Sequence, residues 1–357
     1  MVIISTLFII FALLPVIWWF RYGRDDKIVE TVEFYPPENM TPAEVAFAID
    51  GELDDEEMMY MIFYLADKGY LSMEKGEKQF ILHYEKPVAK EEPDYVKTFA
   101  EWLFPGKETV FRTSRSPLTD RKLFDVARDQ VQNAYNEKYG QVHSLKSENK
   151  RWMCSALMGV EMWIICLLCD GFRESYMALG IMAPLELALF EAWTGFDNFR
   201  LNKKKGIARI VGGIAVTLLL IVIWAWMEDY LEKGIHFLVY LISQTILMFF
   251  SLIMQKRSKE STELMGRLYG FRRFIKEAEY VRIQTLMKED PGYFFHILPY
   301  AAVLGLETNW TKHFAGLATG NPSWCHMEDD EEKRDEKWYG HMMTTCAKSL
   351  LPSKAED

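Results

Sequence analysis

Four apolar blocks constrain this chain more than any other feature: Val2 to Phe20, Trp152 to Cys169, Ile207 to Trp226 and Ile235 to Met254. Crossing ~30 Å of hydrocarbon takes roughly 20 mostly apolar residues, and each block comes close to that length. A fifth block, Tyr176 to Trp193, is long enough but carries Pro184, Glu186 and Glu191. Counting it, the expected architecture is mostly α: a polytopic helical membrane protein with about five spans.

Basic residues set the expected orientation. No basic residue precedes the first block, whereas Arg21, Arg24 and Lys27 follow it. A secretory signal has the opposite asymmetry, so the block reads as an anchor with its N-terminus outside. Lys150 and Arg151 before Trp152 to Cys169, Arg200, Lys203, Lys204, Lys205 and Arg209 from the end of Tyr176 to Trp193 to the start of Ile207 to Trp226, and Lys256, Arg257 and Lys259 after Ile235 to Met254 then all fall inside. The outer loops "DGFRES" and "MEDYLEKG" keep only Arg173 and Lys233. Without a crossing at Tyr176 to Trp193, one basic cluster would lie outside. Trp18, Trp19, Trp152 and Trp193 are placed at the inner interface, Trp224 and Trp226 at the outer.

The expected organisation is an N-out anchor at 1–20, a cytoplasmic domain at 27–150, a four-helix membrane region at 152–254, a C-terminal cytoplasmic helical module at 260–324 and a disordered acidic tail at 325–357. In the cytoplasmic domain, Thr41-Pro42-Ala43-Glu44 matches a capping box with proline in the first turn, and Gly51 ends the helix. Asp54 to Lys68 reads as a second helix stopped by Gly69. Tyr70 to Met73 and Phe80 to Tyr84 read as paired strands, so the unit is winged-helix-like and α+β. Beyond the linker Pro87 to Pro93, Tyr95 to Phe104 and Asp120 to Tyr139 read as helices.

Charge argues against a nucleic-acid partner. The chain carries a net −10, and Thr41 to Lys86 holds four lysines and no arginine against eleven acids. Phosphate would be repelled, which favours a protein-docking or structural wing.

After Met254, Glu263 to Lys288 reads as one long helix broken by Asp290-Pro291. "YFFHILPYAAVLGL" is too short to span and is interrupted by Pro299, so a buried helix pair continued by "TNWTKHFAGL" is expected, with a membrane-skimming segment as the other reading. Arg272, Arg273, Lys276, Glu279 and Arg282 form the candidate docking face of this module. Asn309-Trp310-Thr311 matches a glycosylation sequon that the cytoplasmic placement leaves idle.

"YPPENMTPAEVAFAIDGELD", "LADKGYL", "GFRRFIKEAEYVR", "DPGYFFHILPYAAVLGLETNWTKHF" and "PSW" closely resemble the C-terminal part of the DUF2207 family of predicted bacterial membrane proteins, from Tyr35 to Trp324. The resemblance implies a bacterial inner-membrane location and a secreted, β-sandwich-like domain before the first span. This chain starts at that span, so a short or truncated member is expected. The resemblance implies no activity, and points to a LemA-like membrane protein as a partner.

Ionisable residues inside spans mark function. Glu161 and Glu186 lie almost equidistant from Arg173, so a hairpin of the second and third spans would bring both carboxyls to one depth, sharing a proton. Gln244 and Thr217 occupy comparable depths. The structural alternative is a neutral carboxyl used as interhelical glue. Five cysteines form no framework, and Cys325, His326, His341 and Cys346 make a poor zinc set. His83, His296, His313, His326 and His341 combine with neither acids nor cysteines at ligand spacing. No Walker, nucleophile-elbow, Rossmann or HExxH pattern is present. The expectation is a non-enzymatic scaffold or signal-coupling protein without cofactor, in contact with the lipid bilayer and a protein partner; the alternative is a transporter or proton-coupled protein using Glu161 and Glu186.

Overall fold

A computed structural model describes residues 2–75, 80–107, 110–112, 121–169, 184, 187–193, 195–196, 203–227, 234–315, 317, 322–327 and 336–351. In chain order the elements are α1 (Val2–Trp18), α2 (Pro42–Asp50), α3 (Asp55–Met59), α4 (Met61–Asp67), β1 (Leu71–Lys75), β2 (Phe80–Tyr84), α5 (Asp94–Leu103), β3 (Val110–Arg112), α6 (Arg121–Tyr139) and α7 (Leu145–Cys169). There follow α8 (Lys203–Met227), α9 (Ile235–Ile253), α10 (Lys259–Glu277), α11 (Tyr280–Glu289), α12 (Tyr293–Val303), α13 (Glu307–His313), β4 (Cys325–Met327) and α14 (Glu336–Ser349). Contacts divide the chain into two compact units, Met1–Lys27 with Gln141–Lys259 and Ile28–Gly140 with Glu260–Asp357.

The first unit is helical. Val2–Gly23 and Gly206–Ile223 are long and apolar enough to cross a membrane, and Leu238–Ile253 is a shorter apolar helix. The fifth block lies outside the described residues apart from 184 and 187–193. Helix α7 starts at Leu145, several residues before its apolar stretch. Helix α9 packs between α1 and α7 around Phe8, Met158, Met162, Tyr240, Leu247 and Met248. The outward faces of α1 and α8 stay apolar and exposed, as at Ile10, Leu13, Ile17, Val211, Val216 and Leu219. Gly213 allows α8 close to residues 188–192: a Cβ there would stand 2.5 Å from the Ala188 carbonyl oxygen.

Hydrogen bonds tie one end of this unit together. Ser147 Oγ donates to the Met254 carbonyl (2.8 Å) and accepts from Lys256 N–H (2.8 Å). Arg151 Nε donates to the Ser251 carbonyl (3.0 Å), Lys256 pairs with Asp26 (2.9 Å), and Lys150 lies over Trp18 (4.7 Å). Lys150 and Arg151 before the second block and Lys256 after Ile235 to Met254 are thus tied to neighbouring helices and to the end of the first block at one end of this unit.

In the second unit the capping box of α2 forms as the sequence predicts. Glu44 N–H donates to Thr41 Oγ1 (3.3 Å), Thr41 N–H donates to the Glu44 carboxylate (2.8 Å), and Gly51 closes the helix at φ 78°. The expected single helix at Asp54 to Lys68 is instead two. At Tyr60 (φ −67°, ψ −11°) the backbone tightens, with Tyr60 N–H bonded to the Glu57 carbonyl, so that α3 and α4 meet at a bend. Strands β1 and β2 pair antiparallel, Leu71 opposite Tyr84, as expected.

The sheet is wider than the two strands expected from the sequence. Strand β3 joins β2, and β4 joins β1 in parallel with Met73 opposite Cys325, giving the order β3-β2-β1-β4. The 325–357 segment, expected to be disordered, therefore supplies a strand. It also supplies α14, whose Tyr339, Met342, Met343 and Cys346 are buried. Residues 328–335 and 352–357 of that segment lie outside the described set. The acidic run that suggested disorder sits between two elements whose apolar residues have core partners: Trp324 packs on Phe63 (6.2 Å) and Tyr339 on Phe295 (4.9 Å).

The long helix expected at Glu263 to Lys288 breaks at Ala278-Glu279, where Glu279 is extended (ψ 140°) and its carbonyl accepts from Ile283 N–H. Packing outweighs helix propensity here, because Ile275 before the break and Ile283 after it are both fully buried. Helix α12 runs through Pro299 rather than stopping at it, and its residues Tyr293 to Ala302 are buried apart from half-exposed His296. Trp310 of α13 donates its Nε1 hydrogen to the Phe294 carbonyl (3.1 Å), which completes the buried pair.

Candidate functional site

Glu161 sits on the inner face of α7 and is fully buried. Its Oε1 lies 2.5 Å from Ser243 Oγ, and its Oε2 accepts from Gln244 Nε2 (3.2 Å). Gln244 Nε2 also donates to the Met158 carbonyl (3.1 Å), and Ser243 Oγ lies 3.0 Å from the Phe8 carbonyl. One cluster therefore joins α1, α7 and α9. Glu186 lies outside the described residues, so the Glu161–Glu186 pairing has no counterpart in the described structure. Thr217 is buried on α8, with no hydrogen-bond partner for its hydroxyl among the described residues. The residue missed from sequence is Ser243. Its signal was the neighbouring Gln244 and a two-turn spacing from His236, which bonds Ser5 (2.8 Å) on the same α1–α9 seam.

A second arrangement lies in the other unit. Residues 28–40 form a strap along α10, α11 and α12. Gly266 and Gly270 make room for it: a Cβ at these positions would stand 2.2 Å from the Val29 carbonyl oxygen and 1.8 Å from that of Thr31. No side chain fits there, which is the physical reason for glycine at a four-residue spacing on one helix face. Thr31 N–H donates to the Gly266 carbonyl (3.3 Å).

Side chains continue the clamp. Arg267 pairs with Glu33 (3.0 Å) and Glu38 (2.5 Å), and these hydrogen bonds hold its guanidinium above the usual range. Phe34 packs edge-on against Phe274 (5.0 Å) and under Arg282 (4.1 Å). Tyr293 OH donates to the Phe34 carbonyl, and Tyr300 OH to the Met40 carbonyl (2.9 Å). Glu38 and Asn39 take positive φ (53° and 54°), so the strap turns sharply where it hands over to the α2 cap.

The candidate docking residues fall around this clamp. Arg273 pairs with Glu30 (3.1 Å) and Glu277 (3.6 Å), Lys276 lies near Glu277 (3.7 Å), and Glu279 caps α11. Arg272 is exposed, with no partner among the described residues. Arg273 and Arg282 thus hold a segment of the chain itself.

Histidine pairing with acids also escaped the sequence, because the partners come from other elements. His296 places Nδ1 2.8 Å from Asp290 and Nε2 3.2 Å from Asp67, and His83 lies 3.1 Å from Glu74 across the β1–β2 pair. Burial raises the Asp67 carboxyl above its ordinary range, and His296 opposes that rise. Among the described residues no group of three or more His, Cys, Asp or Glu could hold a metal ion. Burial pushes the Cys346 thiol well up, away from thiolate chemistry. A groove of about 520 Å³ beside α5 is lined by Tyr84, Pro87, Val88, Lys97, Ala100, Glu101, Phe104 and Gly106.

Comparison with known families matches residues 31–314 to a model described as "Predicted membrane protein (DUF2207) C-terminal domain". No curated protein and no solved structure matches the chain.

Proposed function

From membership of the DUF2207 family of predicted membrane proteins, to which this chain belongs, we propose that it is a non-enzymatic signal-coupling protein of the bacterial inner membrane. In this reading about five spans cross the bilayer, the N-terminus is outside, and the winged-helix-like and C-terminal parts are cytoplasmic. The supporting observation is the strap. It begins five residues after Gly23, where the first apolar helix ends, and it is bonded to α10 and α12 and stacked under Arg282 of α11 before it reaches the α2 cap. The chain leaving α1 runs directly into this held segment, so that covalent link is the route by which a displacement of α1 would reach the packing of the wing on the C-terminal helices.

A protein partner, with a LemA-like membrane protein as the first candidate, would read that change. The acidic charge of Thr41 to Lys86 disfavours nucleic acid in that role. Photo-crosslinking from Val32 and Arg272 in native membranes tests the reading. Both are exposed, so a photoreactive residue at either leaves the clamp in place. A defined protein adduct that weakens when Gly270→Ala displaces the strap is expected. Adducts identical in both proteins, or solute flux lost on Glu161→Gln with adducts intact, would favour the proton-coupled alternative.

A further inference from the structure

The hydrogens around Glu161 can be counted. Four short contacts link the cluster: Ser243 Oγ to the Phe8 carbonyl, Ser243 Oγ to Glu161 Oε1, Gln244 Nε2 to the Met158 carbonyl, and Gln244 Nε2 to Glu161 Oε2. A carbonyl and an ionised carboxylate can only accept, a serine hydroxyl donates one hydrogen, and a glutamine amide donates two. Three hydrogens therefore serve four contacts when Glu161 is ionised. Ser243 must then leave either the Phe8 carbonyl or Glu161 facing it oxygen to oxygen, both buried.

One more hydrogen, on Glu161 Oε1, satisfies all four. Glu161 then donates to Ser243 Oγ, Ser243 donates to the Phe8 carbonyl, and Gln244 bonds Met158 and the carboxyl oxygen Oε2. Among the described residues no cation faces Glu161 to offset an ionised carboxylate, which would be costly at this depth of burial. The titratable groups nearest along the packed helices are Tyr240, about one turn before Ser243 on α9, His236, two turns before it and bonded to Ser5, and Cys154 on α7. Helix α1 brings only a backbone carbonyl to the cluster.

We propose that Glu161 with Ser243 and Gln244 is a proton-binding site, in which the bound proton is the structural ligand that locks α1 onto α7 and α9. The proton completes a chain of donors from α7 through α9 to α1. Its loss leaves the single Ser243 hydrogen shared between Glu161 and the Phe8 carbonyl, which weakens this tie and leaves Ser5–His236 as the other polar link of α1 to α9. This site is independent of the strap and does not rest on the signal-coupling reading.

Infrared difference spectroscopy tests it on the full chain in lipid nanodiscs at neutral pH, using Glu161→Gln and Ser243→Ala. The expected result is a protonated-carboxyl C=O band, sensitive to deuterium exchange, that is lost in E161Q. In S243A, where Glu161 keeps its proton but loses its acceptor, the band moves to higher frequency. A wild-type spectrum with no such band, or a band unchanged in both variants, overturns the proposal. S243A keeps the test valid even if E161Q folds poorly.

Discussion

Two glycines place the strap. A methyl group at Gly270 would overlap the Thr31 carbonyl oxygen, so Gly270→Ala must push residues 28–34 off α10. Overpacking of this kind costs about 1–3 kcal/mol. Chemical denaturation of the variant is expected to show that loss, with faster amide exchange at Thr31; unchanged exchange would mean the strap does not rest on α10. The Gly266–Gly270 spacing was visible in the sequence, but glycine spacing does not reveal whether a helix or an extended segment fills the groove. Glu44 adds a pH effect. Its burial raises the carboxyl, against the hydrogen bond from Thr41 N–H, so the folded state keeps a proton that the unfolded state releases. Stability therefore falls as pH rises from the ordinary carboxylate value through the raised folded value. Glu44→Gln preserves a capping side chain and removes the titration. The melting temperature of the variant is expected to vary less over that window than that of the wild type, and an equally steep profile would contradict this assignment.

At the scale of elements, what was legible had local causes. The α2 capping box, the Gly69 stop and the β1–β2 pair each depend on residues a few positions apart, and all three formed as read. The break at Ala278-Glu279 has no glycine or proline to announce it and comes from burial on both sides. Strand β4 pairs with β1 from about 250 residues away, which no local pattern encodes. Helix α14 did carry a signal, with Tyr339, Met342, Met343 and Cys346 at helical spacing, but the preceding charge run masked it. Because α14 covers Phe295 and packs on α12 and α13, a chain ending at residue 327 should lose cooperative unfolding of the second unit. A truly disordered tail could be removed without changing the melting curve. Removing only the side-chain half of the α2 cap, by Thr41→Ala, is expected to cost ~1 kcal/mol, read as a shift of the denaturation midpoint.

For the whole molecule, two of the expected spans, Val2–Gly23 and Gly206–Ile223, are helices long and apolar enough to cross a membrane among the described residues, and the family model matches residues 31–314, most of the stretch that carries the resemblance. The polar site was half legible. Glu161 and Gln244 stand out as polar residues in apolar blocks, whereas Ser243 looks unremarkable until helix packing places it between a carboxyl and a carbonyl on another helix. The strap was not legible as a joint, because an extended stretch shows its contacts only once α10 to α12 are assembled. A pulsed electron-resonance distance between spin labels at Val32 and Arg272, in the full chain in nanodiscs, tests the clamp most directly. A single narrow distance distribution that broadens in Gly270→Ala is expected; a broad distribution in the wild type would show that residues 28–40 are not held against the C-terminal helices.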